Sequence, residues 1–241
     1  MPHPIQLQSK PSLDTATHAQ AEANLEPQIS TVERIARHIE DRVIYGELTA
    51  RERIQELKVA GDLGVSRGSV REALLVLEGR HIVNIYPRRG ALVSDLNSNE
   101  LASLAETIAQ VAGTAFAELA ARRPTRVALV GLQQGLQRIT SAFEADDING
   151  LVNARQEFFE LPLESLDNEF TANLLRALSG SARRLMVLAS RNPAFDPSDT
   201  KRCAQGLFEA TAAHDGDRAR QILQAMLRRD GTLARSVAIS A

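Results

Sequence analysis

Apolar residues recur at helical spacing along most of this chain and at strand spacing in one short stretch. Val32, Ile35, Ile39 and Val43 share one face of a predicted helix, opened by a capping box of Ser30 with Glu33 and stopped at Gly46. Ala60, Asp62 and Leu63 end a second, short helix and Gly64 supplies a turn. Ser66 then caps a third helix over 66–78, whose Val70, Ala73, Leu74 and Leu77 face a core. The period then changes. Residues 82–86 are β-rich and partly alternating, Pro87-Arg88-Arg89-Gly90 reads as a turn, and Ala91-Leu92-Val93 as a return strand. Three helices followed by a two-stranded ribbon predict a winged helix-turn-helix over residues 29–95.

Beyond Ser94 the strand signals stop. Asn97 with Glu100 opens a helix lined by Leu101, Leu104, Ile108, Val111, Ala115 and Leu119, and Pro124 follows its end. Further helices are predicted over 125–143, from Asp147 to Leu161-Pro162, and from Asn168 (with Leu174, Leu175, Leu178, Leu185 and Leu188) to before Asn192-Pro193. Two more are predicted over 198–213 and 217–237. Six amphipathic helices imply an all-α helical bundle over 96–241, so the whole is mainly α. A short polar linker over 95–98 would join the halves. Residues 1–28 are rich in Pro, Gln, Ala and Thr without periodicity and read as a flexible tail whose only cation is Lys10.

Composition narrows the function less than placement does. The 241 residues allow two modest domains, and a formal net charge of −2 does not announce nucleic acid. Cys203 is the one cysteine, which excludes a disulfide framework and a cysteine-based metal cluster. There is no apolar run of about 18 residues and no signal-peptide core, so no membrane association and a cytoplasmic location are expected.

The chemistry sits on the third helix and the hairpin. Its apolar stripe leaves Arg67, Ser69 and Arg71 on the opposite side of the first turn, where recognition helices meet base edges and phosphates. A guanidinium presents a planar fork of donors that suits guanine edges and phosphate oxygens. Arg88 and Arg89 at the hairpin tip are placed for a minor groove or for phosphate. A plain helical hairpin with solvated arginines, and a charged tip that is only surface, remain as alternatives.

At these residues the chain resembles the GntR family of bacterial transcription regulators. Ile44-Tyr45-Gly46-Glu47-Leu48, Glu52-Arg53-Ile54-Gln55-Glu56, Leu63-Gly64-Val65-Ser66-Arg67, Val70-Arg71-Glu72-Ala73-Leu74 and Pro87-Arg88-Arg89-Gly90 follow that family's DNA-binding domain in order and spacing, over 30–94 without a gap. The resemblance implies Arg53, Arg67 and Arg71 as main DNA contacts, with Gly90 letting the wing approach the backbone. Ser66, Ser69, Arg88 and Arg89 complete the candidate contact set. One departure is visible: Ala50-Arg51 stands where the family usually has Pro-Gly, loosening a turn and adding a positive charge near the DNA face. The bundle is similar to the ligand-sensing FCD domain of the FadR subfamily, and six helices bring it closer to the VanR-like branch. Asn168-Glu169-Phe170 and Asp215-Gly216-Asp217-Arg218-Ala219 fit that pattern.

Many FCD domains hold a divalent metal with one Asp and three His, two of them four residues apart so that both ligands share a helix face. The same positions here carry Arg155, Phe159, Ala204 and Met226, none of them a usual ligand. Of His3, His18, His38, His81 and His214, only His214 lies in the bundle, in a turn. No metal and no other cofactor is therefore expected. Arg155 at that position could hold a carboxylate effector directly, walled by Phe159, Ala204, Leu207 and Met226. The alternative is that Arg155 points to solvent or pairs with Glu157 or Glu160, with Phe159 and Met226 filling core. Arg183 and Arg184 are second candidates for an anion contact. The expected function is a homodimeric, effector-responsive regulator, as a repressor, on double-stranded DNA with a palindromic operator. An effector-free DNA binder, or an enzyme built on the bundle with Glu157, Glu160 or Glu164 as acid and base, are the rivals; no catalytic constellation favours the enzyme.

Overall fold

The structure, a computed structural model, describes residues 30–122 and 124–240. The expected tail over 1–28 lies outside the described residues. Helix α1 spans Thr31–Ile44, α2 Glu56–Leu63 and α3 Arg67–Gly79, followed by strands β1 (Val83–Tyr86) and β2 (Gly90–Val93). The strands pair antiparallel, Val83 opposite Val93 and Tyr86 opposite Gly90. Ile35, Ile39, Leu74, Leu77 and Ile82 are fully enclosed at the centre of this half. Each such side chain contributes about 1.5–3 kcal/mol through burial.

Two local details differ from expectation. Ser30 does accept from the Glu33 backbone N–H at 3.1 Å. The Glu33 carboxylate, however, pairs with Arg37 and Arg80 at 3.2 and 2.8 Å rather than closing a capping box. The ribbon also has a third participant. Arg53 bridges to Leu92, and Ile54 N–H donates to the Ala91 carbonyl at 2.9 Å, so the segment before α2 is pinned along the wing. No alternation of apolar and polar residues announces a one-residue bridge, and spacing alone could not find it.

The second half holds α4 (Ser98–Ala121), α5 (Arg126–Glu144), α6 (Ile148–Glu160), α7 (Glu169–Ser190), α8 (Pro197–Ala212) and α9 (Gly216–Ser240). Asn97 makes the full capping box with Glu100. A 3-10 turn, Leu161–Ser165, continues beyond the predicted stop at Leu161-Pro162. Helix α4 packs along α9 and also meets α7 and α8, and its buried set is wider than one stripe, adding Ala105, Ala109, Phe116 and Ala120. Leu174, expected on the inner face of α7, is 46% exposed, and Phe170 one turn earlier is 90% exposed. Ala172 between them is buried with Ala115, Leu163 and Leu166, so the first turns of α7 pack on the bundle by one face and expose the other.

Helix α7 also carries the winged helix. Ile44 at the end of α1 packs with Val152, Met186 and Val187. A Cβ at Gly180 would collide with the Glu40 carboxylate of α1, so glycine is what allows α7 this close. The residue before the expected linker is anchored, since the buried Ser94 accepts from Arg184 at both its carbonyl and its hydroxyl, at 2.9 and 3.0 Å.

Candidate nucleic-acid interface and effector pocket

Helix α3 starts with a double tie: Ser66 accepts from the Ser69 backbone N–H at 3.0 Å, and the two hydroxyls share a bond of 2.9 Å. Those side chains shape the first turn, from which Arg67 and Arg71 project. Arg67 is exposed, and Arg71 Nε donates to Glu56 on α2 at 2.8 Å. Arg53 lies beside Gly90, whose φ of +79° is a conformation that L side chains rarely adopt. Arg53, Glu56, Arg67, Arg71 and Gly90 line one open groove. Arg88 and Arg89 are exposed at the wing tip and stand outside that lining, so the basic surface is a groove plus a separate tip. Glu56 is a member that motif matching missed. Its carboxylate holds Arg71 along the groove.

Arg51 departs from expectation in an informative way. Its φ is +64°, which explains why a glycine suits this position. Its guanidinium meets Asp95 at 2.6 Å, and its N–H donates to the Val93 carbonyl, so the added charge is directed to the chain joining the halves rather than to the DNA face.

In the bundle, the five expected pocket residues divide. Arg155 is 3% exposed; its guanidinium pairs with the equally buried Asp230 of α9 and lies over the Phe159 ring, 5.5 Å from the centroid. It neither points to solvent nor pairs with its neighbours. Glu157 is taken by Arg138 at 3.0 Å, and Glu160 accepts from Gln156 at 2.6 Å. Arg155 and Met226 line a cavity of about 170 Å³, together with Asp199, Thr200, Cys203, Arg229 and Asp230. Phe159 instead lines a second, apolar cavity with Ile108, Phe116, Leu178 and Leu223. Ala204 and Leu207 are buried in the core and line neither. Asp230 was missed because its partner lies 75 positions away. A signal did exist: it follows Met226 by four residues on one helix, and so shares its face.

The residues present do not fit a metal at this place. A guanidinium paired to a carboxylate, a phenyl ring, a methyl group and a thioether are not a ligand set for a divalent ion. Among the described residues, no three His, Cys, Asp or Glu side chains gather to hold one. Burial pushes the Cys203 thiol up, so it stays neutral in the wall.

Arg183 and Arg184 face neither cavity. Arg183 pairs with Asp41 of α1, donates to the Tyr45 hydroxyl at 3.0 Å and to Asn153 Oδ1 at 2.9 Å, and stacks on the Tyr45 ring. Arg184 is spent on Ser94. Between these contacts, the Ser181 hydroxyl donates to the Arg80 carbonyl at 2.9 Å, and Arg80 itself donates to Glu40 at 3.1 Å. Burial lifts the Glu40 carboxyl above its usual range, against the pull of Arg80. The two arginines are thus the clamp between bundle and winged helix, not an anion site.

Comparison with known proteins agrees with this architecture. Residues 31–93 match the family of bacterial regulatory proteins, gntR family, and residues 113–229 match the FCD domain. The chain belongs to the GntR family. Its C-terminal bundle is an FCD domain, and it is a GntR-type transcriptional regulator rather than an enzyme. The HTH-type transcriptional repressor RspR of Escherichia coli K12 is 23% identical over 196 residues, 81% of this chain and 85% of that protein. An uncharacterized HTH-type regulator of Agrobacterium vitis is 28% identical over 107 residues, 44% of this chain. That match spans 63% of its length, less than two thirds. Among solved structures, E. coli McbR/YncC superposes with a TM-score of 0.72 at 19% identity, covering 87% of this chain and 99% of that one. A GntR regulator from Rhodococcus sp. RHA1 gives 0.65 at 20% identity, covering 87% and 98%. At such identities the likeness speaks for the fold. Among the described residues, no helix is long and apolar enough to cross a membrane.

Proposed function

We propose that this GntR-family chain is a sequence-specific, effector-responsive DNA-binding regulator, acting in the cytoplasm as a homodimer and as a repressor. The observation that carries the DNA-binding part is the exposed groove where Arg53, Arg67 and Arg71 converge beside Gly90. In this reading α3 enters a major groove with Arg67 and Arg71 on base edges or phosphates, its turn shaped by Ser66 and Ser69. Arg53 holds phosphate, and the Arg88-Arg89 tip reaches the adjacent groove. Residues 29–95 contact DNA, and residues 96–241 supply the dimer contacts and the effector cavity. Two copies then fix the half-site spacing of a palindromic operator. The repressor role of RspR supports the same sign here.

The effector is a small molecule bearing a carboxylate, taken without a metal in the cavity walled by Arg155 and Met226. Phe159 lies behind the guanidinium, with Ala204 and Leu207 packed in the core nearby. Signal would pass through α7, whose Met186 packs against Ile44 and whose Arg183 and Arg184 hold α1 and Ser94. An effector alters DNA affinity only by binding two arrangements of the halves unequally. The test is selection of duplexes from a random pool by the purified chain. The expected winners are palindromes, bound in a salt-dependent manner. Arg67→Ala and Arg71→Ala should each weaken binding roughly ten- to hundredfold at unchanged dimer mass. Equal binding by both variants overturns the assignment of α3.

A further inference from the structure

Resting on the reading of the Arg155 cavity as the effector site, we infer that its ligand is a small zwitterion, an amino acid or close analogue, rather than a simple carboxylate. The wall of this cavity contains guanidiniums from Arg155 and Arg229 and carboxylates from Asp196, Asp199 and Asp230. Arg202 and Arg229 both pair with Asp199, and Arg202 also reaches Asp196 at 3.8 Å. Three arginines therefore already balance three acids. A lone carboxylate entering this balance leaves an uncompensated negative charge beside Asp230, and a lone amine leaves a positive one beside Arg155. Either is costly in a partly desolvated site. A molecule bearing both charges leaves the balance intact.

Unused hydrogen-bonding capacity points the same way. Arg155 Nε is buried and has no partner, although the same guanidinium pairs with Asp230 through its other end. Asp199 is not open in this way: Arg229 covers its Oδ2 and Arg202 its Oδ1, so its charge is already matched. One open donor belongs to a residue that lines the cavity, and an unsatisfied buried group of this kind calls for a partner. A carboxylate on Arg155 Nε satisfies it, and an ammonium on the same molecule, near Asp199 and Asp230, keeps the charges of the wall in balance. The Thr200 hydroxyl and the neutral Cys203 thiol can take the remaining polar and soft contacts. The volume of about 170 Å³ falls below the several hundred Å³ of drug-sized sites, which limits the ligand to a few heavy atoms beyond its charged groups.

The test is a thermal-shift series on the full chain with four probe sets: glycine through leucine; the matching acids, acetate through 4-methylpentanoate; the matching amines, methylamine through 3-methylbutylamine; and the polyols erythritol and xylitol. Stabilisation by at least one amino acid, and by no member of the other sets, is expected. By calorimetry, Asp199→Asn should weaken that amino acid about tenfold or more while keeping the Arg155–Asp230 pair. The double variant Arg155→Met/Asp230→Leu replaces the pair by apolar groups, should fold with a native circular-dichroism spectrum, and should lose binding entirely. A comparable response to the acids alone overturns the zwitterion and leaves the carboxylate effector standing. A response to polyols or amines, or binding retained by the double variant, overturns the assignment to these charges. Silence from every probe overturns both readings.

Discussion

Arg67 on the winged helix and Arg155 in the bundle are the same residue type under opposite conditions. Arg67 is exposed on the first turn of α3, in a groove where three guanidiniums outnumber one carboxylate. Arg155 is enclosed, stacked on Phe159 and matched to Asp230. An exposed guanidinium keeps its hydration and adds little to stability, so its charge stays available to a partner. A buried one has surrendered water and is held by a neighbour whose removal exposes the full cost of that loss. In the proposed function, the first region would work through charge left open, and the second through charge almost but not wholly closed, with one Nε–H remaining.

The largest separation between the two should appear in stability. Arg155→Ala leaves Asp230 buried and unpaired, and should lower the unfolding free energy by about 3–5 kcal/mol in urea titrations at neutral pH. Arg67→Ala should stay within about 0.5 kcal/mol of wild type while weakening DNA binding. Similar losses for the two variants would erase the contrast.

Between the two regions lies the clamp, where arginines are neither open nor enclosed. Gly180→Ala drives a methyl group into the Glu40 carboxylate, so either that carboxylate gives up its place beside Arg80 or α7 withdraws from α1. Overpacking of this kind costs about 1–3 kcal/mol. The same step should strain the Ser181–Arg80 and Arg183–Asp41 contacts. Faster proteolysis around Ser94, with the bundle core unchanged by circular dichroism, is the expected pattern. An unaltered digestion rate would mean that the halves are not held through this contact.

These regions also differ in how far they could be read from the chain. The winged helix was legible because its signals are local: a cap at Ser66, a turn at Gly64, and arginines within one helical turn of each other. Six helices of the bundle were legible from periodicity and from caps such as Asn97 with Glu100. What escaped is what joins distant positions. Asp230 completes Arg155, Glu56 holds Arg71, and Arg183 with Arg184 reaches back to α1 and Ser94. A helical wheel reports which face of a helix is apolar, not which neighbour that face meets, so for Arg155 both the inward direction and the partner stayed open. The exposure of Phe170 and Leu174 was hidden for the same reason, since an apolar stripe does not reveal how far round the helix its neighbours reach.

The smallest effect should come from a pair of the bundle that shares the exposure of Arg67 rather than the burial of Arg155. Arg228 of α9 grips Glu106 of α4 with two bonds, Nε at 2.8 Å and the terminal nitrogen at 2.9 Å, and Gln110 adds a third. Arg228 first, then Gln110, holds the Glu106 carboxyl down at about 2 from its ordinary 4.5. A carboxyl depressed in the folded state stabilises above its unfolded value, and that contribution is lost as pH falls through about 2. The window to examine is therefore between pH 4.5 and 2, at low salt, because both side chains are about half exposed and salt screens them. Denaturation midpoints should place Glu106→Gln slightly below wild type at neutral pH, and the difference should shrink as the solution is acidified through that window. A gap that persists to the lowest pH would show that Glu106 acts through packing against α9 and not through its charge, moving this pair away from the exposed class.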